Sequence, residues 1–143
     1  MGNAVKVRPY STSDRPAVTA LWREIFADDP PWNEPEGMID RKLTVQPELF
    51  LVAELEGCVV GTVLGGFDGV RGWIHHLAVA APHRRKGIAK LLMRVAEDGL
   101  KILGCPKVNL QVRATNLAVI EFYRSLGYAV EERASLGKRL VAV

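Results

Sequence analysis

Only two cysteines, Cys58 and Cys105, occur in the 143 residues. Cys58 sits inside an apolar run and Cys105 stands just before Pro106, so neither a disulfide framework nor a Cys-x-x-Cys metal site is available, and no metal is called for. No uninterrupted apolar run approaches the roughly 18 residues of a membrane helix, and the N-terminus lacks a basic stretch followed by an apolar signal core. The expectation is a soluble, cytoplasmic protein with no membrane partner. Gly-x-x-x-x-Gly-Lys-Ser/Thr and Gly-x-Gly-x-x-Gly are both absent, which argues against a nucleotide hydrolase or a dinucleotide dehydrogenase. Internal repeats and low-complexity tracts are missing too. Large charge imbalance is also lacking: 19 basic against 16 acidic residues leave a formal +3.

What is present is enough apolar material, nearly half of the composition, for one substantial core, and a single domain over 1–143 is expected. Residues 5–9 read as a short strand. Ser13 stands at an N-cap position before a helix with Val18, Leu21, Trp22, Ile25 and Phe26 on one face. The stretch 28–36 holds Pro30, Pro31 and Pro35 around Trp32, a rigid connection before a second short helix over 37–45. Runs at 49–55, 58–64 and 73–80, punctuated by Glu56-Gly57 and Asp68-Gly69, predict an antiparallel meander. Ile88, Leu91, Leu92, Val95 and Leu103 then recur at helical spacing up to Gly104. Val108, Leu110 and Val112 alternate as a half-buried strand, a helix follows from Asn116 to Gly127, and strand character returns from Tyr128, with one more short strand at 139–143. The order βααβββαβαβ predicts an α+β, mixed α/β sandwich: a mostly antiparallel sheet of six to seven strands flanked by about four helices.

One segment concentrates charge. A strand ends at Val79-Ala80, the chain turns through Ala81-Pro82-His83, and Arg84, Arg85 and Lys86 precede Gly87, where a helix begins. The first turn of a helix carries backbone N–H groups without partners and a partial positive charge. Gly87 lets a phosphate approach that backbone, and the three cations add charge beside it. Taken alone, the charges of the cluster read first as a solvated basic loop, with a nucleic-acid patch as a further alternative. Against nucleic acid stand the shortness of the patch and the lack of an aromatic stacking platform.

Arg84-Arg85-Lys86-Gly87-Ile88-Ala89 resembles the Arg/Gln-x-x-Gly-x-Gly/Ala signature of the GNAT superfamily of acetyl-coenzyme A-dependent N-acetyltransferases. Leu77-Ala78-Val79, Asn116 and Tyr123-Arg124-Ser125-Leu126-Gly127-Tyr128 are similar to that family's pattern as well, so the resemblance spans nearly the whole chain. Pro31-Trp32-Asn33, Gly65-Gly66-Phe67-Asp68-Gly69 and Ser135-Leu136-Gly137-Lys138-Arg139-Leu140 resemble a small bacterial YpeA-like subgroup. The resemblance implies acetyl-CoA as co-substrate. Leu77, Ala78 and Val79 would lie along the pantetheine arm, with backbone groups offered by Leu77 and Val79. Arg84, Arg85, Lys86, Gly87, Ile88 and Ala89 would enclose the pyrophosphate, with Lys90 near. Asn116 would sit beside the pantetheine, and Tyr123 would act as general acid toward the departing thiolate. It also implies an amine acceptor, while oligomeric state is left open, a homodimer included.

Direct transfer to an amine needs the neutral nucleophile. A lysine-like amine of pKa ~10.4 is ~3.4 units from neutral at pH 7, about 4.6 kcal/mol. No carboxylate lies between Gly69 and Glu97, so the glutamate base of some family members has no counterpart. Strict alternation puts His75, not His76, on the face of Leu77 and Val79, and His75 is the expected base or water relay. The acceptor is expected at the proline-rich connection and the 65–69 turn, where Trp32 and Asn33 stand beside Asp28, Asp29 and Glu34. The alternative is a non-catalytic acyl-CoA sensor, which would keep the phosphate loop and have no need of Tyr123.

Overall fold

A computed structural model describes residues 4–141. The chain forms two compact units, one ending at Leu110 and one starting at Gln111. The first unit begins with β1 (Lys6–Pro9) and α1 (Arg15–Ile25). Between them Ser11 and Asp14 make a capping box, with the Ser11 N–H donating to Asp14 Oδ2 at 2.8 Å. Helix α1 buries Val18, Leu21 and Trp22, the face predicted by the apolar spacing. The proline-rich connection contains a 3-10 turn, Pro31–Asn33, and α2 (Pro35–Lys42) starts earlier than expected. Pro35 supplies a preset φ at its first position, and the Glu34 carboxylate accepts from the Gly37 N–H at 3.1 Å.

Strands β2 (Phe50–Leu55), β3 (Cys58–Phe67) and β4 (Gly72–Val79) form the expected meander, with β1 paired to β2. Glu56 and Gly57 both have positive φ, 51° and 79°, as a two-residue hairpin turn requires. Helix α3 (Ile88–Ile102) then crosses over to β5 (Val108–Leu110), which runs parallel to β4. The sheet order is β1-β2-β3-β4-β5.

On one sheet face, Val18 and Trp22 of α1 and Ile39 of α2 join Tyr10, Phe50, Val52, Leu64 and Ala78 in the main core. Tyr10 stacks on Phe50 at 4.3 Å. The opposite face carries α3, which buries Ile88, Leu92, Met93, Ala96 and Leu100. Gly61 on β3 allows this approach, since a Cβ there would lie 2.9 Å from the Ala78 carbonyl and 3.1 Å from Leu92.

The second unit is built on α4 (Leu117–Ser125), closed by Gly127 at φ 97°. The sheet has five strands among the described residues, against the six to seven expected. Residues 128–141 contain no strand, and residues 142–143 of the last predicted one lie outside the described residues. The consecutive charges Glu131, Glu132 and Arg133 interrupt the alternation, and the backbone bonds locally there, from the Arg133 N–H to the Glu131 carbonyl at 2.9 Å. No helix among the described residues is long and apolar enough to cross a membrane.

Candidate active site

The chemistry-bearing strand is irregular. Opposite β3, β4 keeps register from Phe67↔Gly72 to Leu64↔His75, then resumes one residue later at Thr62↔Ala78. The extra residue is a β-bulge, and His76 takes a left-handed conformation there, φ 49°. Such a conformation costs a non-glycine residue on the order of 1–3 kcal/mol, so its surroundings must enforce it. A buried hydrogen-bond chain does so: Trp22 Nε1–H donates to Thr62 Oγ1 at 2.8 Å, and the Thr62 hydroxyl donates to the His76 carbonyl at 3.0 Å.

The bulge overturns the alternation argument for His75. Val79 pairs with Gly61, whose missing Cβ points at Ile88 and Leu92, so Val79 and Leu77 face α3. His75 pairs with Leu64, a member of the α1-side core, and therefore faces the other way. His76 is on the α1 side too: its ring lies edge-on to Trp22 at 4.9 Å and tilted against Phe26 at 4.2 Å. His75 is exposed at its surface, yet the dense protein around it lowers its pKa, and the positive charge of Lys42 adds to the effect.

At the end of β4 the loop and helix start are built as an anion site would be. Parallel pairing with β5 stops at Ile74↔Leu110, so from His75 to Val79 the β5-side edge of β4 has no ladder partner among the described residues. Leu77 and Val79 carry backbone groups along this stretch, and Ala78 turns its side chain into the core. Arg84 Nε donates to the Val79 carbonyl at 3.0 Å, tying the loop to the strand. Arg85 and Gly87 have positive φ, 63° and 79°. Such turns of handedness let successive N–H groups converge on an anion. Gly87 is the N-cap of α3, has no side chain to cap it, and nothing would lie within 4 Å of a Cβ there. The first-turn N–H groups of a 15-residue helix thus face outward with Arg84, Arg85, Lys86 and Lys90 exposed around them. Ile88 is buried and Ala89 half-buried, so at these two positions it is the backbone that could meet a phosphate.

On the α1 side of β4 a cavity of about 260 Å³ opens beneath the proline-rich connection. Trp22, Phe26 and His76 form apolar and aromatic walls, Asp29, Asn33 and Glu34 bring polar groups, and Pro30, Pro31 and Pro35 stiffen the rim. Trp32, which sequence reasoning singled out with Asn33, is not part of the lining; its carbonyl accepts from Arg41 at 2.8 Å. Sequence reasoning passed over His76 and Phe26 as site residues. Phe26 ends the apolar stripe of α1 and reads as core, and a bulge leaves no trace in period-two alternation.

In the second unit, Asn116 Oδ1 accepts from the Val119 N–H at 3.3 Å and caps α4. Tyr123 is buried and lies edge-on to Tyr128 at 5.7 Å. Burial pushes its phenol up to about 12, so it is protonated at neutral pH.

The acetyltransferase (GNAT) family matches residues 19–128, and the chain belongs to it. An acetyltransferase of Yersinia enterocolitica is 44% identical over 137 residues, 96% of each chain, and one of Pectobacterium atrosepticum is 44% identical with the same coverage. The crystal structure of Ard1 from Thermoplasma volcanium matches with a TM-score of 0.79 at 25% identity, over 90% of this chain and 84% of that one. The aminoglycoside N-acetyltransferase AAC(6')-Iy, solved with a bisubstrate analogue, matches with a TM-score of 0.80 at 14% identity, covering 96% and 99% of the two chains, a likeness of fold. The protein is an acetyltransferase, and acetyl-CoA supplies its acyl group.

Proposed function

We propose that the protein transfers the acetyl group of acetyl-CoA to a primary amine by direct attack of the amine on the thioester, and that residues 1–143 act as one catalytic domain. The observation that carries this reading is the arrangement along β4. A cationic, uncapped helix start suited to an anionic donor lies on one sheet face, and a carboxylate-bearing cavity suited to a cationic acceptor lies on the other. The β4 edge at Leu77 and Val79, which has no ladder partner among the described residues, suits the pantetheine arm, which carries amide groups of its own. Arg84, Arg85, Lys86, Gly87, Ile88, Ala89 and Lys90 receive the pyrophosphate, and Asn116 stands beside the pantetheine.

Tyr123 is the general acid. Its phenol is protonated at pH 7 and can donate a hydrogen bond to the departing thiolate; burial raises its pKa and so makes full proton transfer harder, not easier. His75, exposed on the cavity side of β4, relays protons to water. The relatives' names stand against a non-catalytic acyl-CoA sensor.

Thiol release from acetyl-CoA, screened over amino acids, alkylamines, polyamines, aminoglycosides and N-terminal peptides, tests the reading. Turnover with one class of primary amine is expected. Tyr123→Phe should lower kcat by ~10²-fold or more while leaving the acetyl-CoA dissociation constant within about twofold. Tight acetyl-CoA binding with no release for any amine would overturn the transfer reading, and an unchanged kcat in Tyr123→Phe would remove the tyrosine from it.

A further inference from the structure

The glycine pair Gly65-Gly66 lies where β3 runs on past its partner. Ladder pairing with β2 stops at Phe50↔Leu64, so from Gly65 to Phe67 this edge of β3 meets side chains instead of a strand. Gln46, held in a left-handed conformation at φ 48°, donates from Nε2 to the Phe67 carbonyl at 2.9 Å and accepts the Phe67 N–H at 2.7 Å. Lys42, in the last turn of α2, donates to the Gly65 carbonyl.

The Lys42 contact leaves a charge unanswered. A carbonyl needs only a neutral donor, as the Gln46 amide shows at Phe67, whereas Lys42 brings an ammonium with three N–H groups and uses one of them there. Among the described residues no carboxylate forms an ion pair with it. Burial lowers its pKa, and the exposed Glu48 pulls the other way without reversing the shift. A partly desolvated cation without a counter-ion is unfavourable, and a bound anion would relieve it.

There is room for one. Gly66 turns its missing side chain to this face: a Cβ there would lie 3.7 Å from Lys42 Nζ and 3.6 Å from Gln46 Oε1. Lys42 and Gly66 are both half-buried, so the ammonium is fixed in place yet not sealed off. His75 is on the same sheet face, because it pairs with Leu64, two residues before Gly66 on β3. It is exposed, and the Lys42 charge reaches it, adding to the burial that lowers its pKa. A neutral imidazole still has one N–H to donate.

We propose that Lys42, with His75 on the same face and Gly66 leaving the approach open, is a binding site for a carboxylate. The α1-side cavity is a different place: its lining includes none of Lys42, Gly66 and His75. Anchoring of Nζ at Gly65 reduces the side-chain freedom that a lysine loses on gripping an anion. The carboxylate is carried by the amine acceptor or belongs to a separate small acid, and the two share this chemistry. Binding itself is independent of the transfer reading; only a part in selecting the acceptor rests on it.

The backbone amide resonance of Gly66, followed in the full chain without acetyl-CoA, tests the site. Propionate should shift it saturably and bind at least about tenfold more tightly than propionamide, its uncharged counterpart. Lys42→Gln, which keeps a donor for the Gly65 carbonyl and removes the charge, should abolish that preference. Gly66→Ala sets a methyl group against Nζ with the charge intact and should weaken propionate several-fold. Equal affinity for propionate and propionamide, no shift, or a preference that survives Lys42→Gln overturns the proposal. Chloride binding as tightly as propionate overturns it too, since the site would then hold any counter-ion. Should Lys42→Gln not fold, Gly66→Ala decides, and unchanged propionate affinity there counts against the site.

The ω-amino acids from 3-aminopropionate to 6-aminohexanoate, each compared as acceptor with its own amide, separate the two sources. A kcat/KM at least about tenfold higher for an acid than for its amide, and lost in Lys42→Gln, assigns the carboxylate to the acceptor. Equal values along the series, with propionate still bound, assign the site to a separate acid. Propionate binding without thiol release from any amine would leave the site standing and the transfer reading fallen. Thiol release by a chain that does not bind propionate would do the reverse.

Discussion

A histidine kept neutral by burial makes the native state reluctant to take up a proton that the unfolded chain accepts freely. For His76 the unfolded value is near 6.5 and the folded value about 4. Between these limits the unfolded state binds more protons, so stability is highest above pH 6.5 and falls as pH drops toward 4. The full loss is roughly 3 kcal/mol, most of it reached by pH 4.5. His75, whose pKa is also lowered, acts in the same direction. The lowered carboxylates Asp14, Glu34 and Asp68 lose their stabilising charge only at more acidic pH, as protons reach their folded pKa values. Urea midpoints measured from pH 7.5 to 4.5 should therefore decline, and His76→Asn should flatten the decline. A parallel pair of curves would show that His76 does not titrate this way. At this scale the sequence was an incomplete guide: two adjacent histidines were visible, but which one enters the cavity depends on a bulge that alternation assumes away.

Elements were legible to the degree that each carries its own signal. Strands β2, β3 and β4 followed from β-rich runs closed by Glu56-Gly57 and Asp68-Gly69, and α1 and α3 from apolar spacing over several turns. The expected strands after Tyr128 had alternation alone, with no partner specified, and alternation without a ladder does not make a strand. The cationic loop before α3 was visible in the sequence because it consists of residue types at consecutive positions. The cavity was only half visible in the sequence, since it joins α1, the proline-rich connection and β4 across more than 50 positions. The bulge in β4 depends on one cross-element link, the Thr62 hydroxyl between Trp22 and the His76 carbonyl. Thr62→Val keeps the shape and deletes the link, leaving a buried donor and a buried acceptor unsatisfied. It should cost about 1–3 kcal/mol in each variant-to-parent comparison of unfolding free energy. If the α1-side cavity receives the acceptor, it should also lower kcat/KM for the amine more than for acetyl-CoA, because the misplaced residue lines that cavity. Equal losses for the two substrates would mean that Thr62 supports the fold without positioning His76.

Across the whole chain the formal charge is small, +3, yet the two proposed ligand sites of the first unit carry groups of opposite sign. Arg84, Arg85, Lys86 and Lys90 crowd the start of α3, and Asp29 stands in the cavity on the α1 side. Each site would therefore attract a ligand of opposite sign, and the two attractions should respond to salt independently. Raising ionic strength from 0.1 M to 1 M shortens the screening length from about 10 Å to about 3 Å. If the exposed cations before α3 hold acetyl-CoA, its KM should rise several-fold over that range. KM for an alkylamine should rise less, because a half-buried carboxylate is screened less. Asp29→Asn should raise the amine KM by about tenfold and remove its salt dependence, with the acetyl-CoA slope kept. A double change of Arg85 and Lys86 to alanine should flatten the acetyl-CoA slope and leave that of the amine. If either variant alters both slopes together, the two ligands share one electrostatic site, and the division of donor and acceptor between the two faces of β4 is wrong.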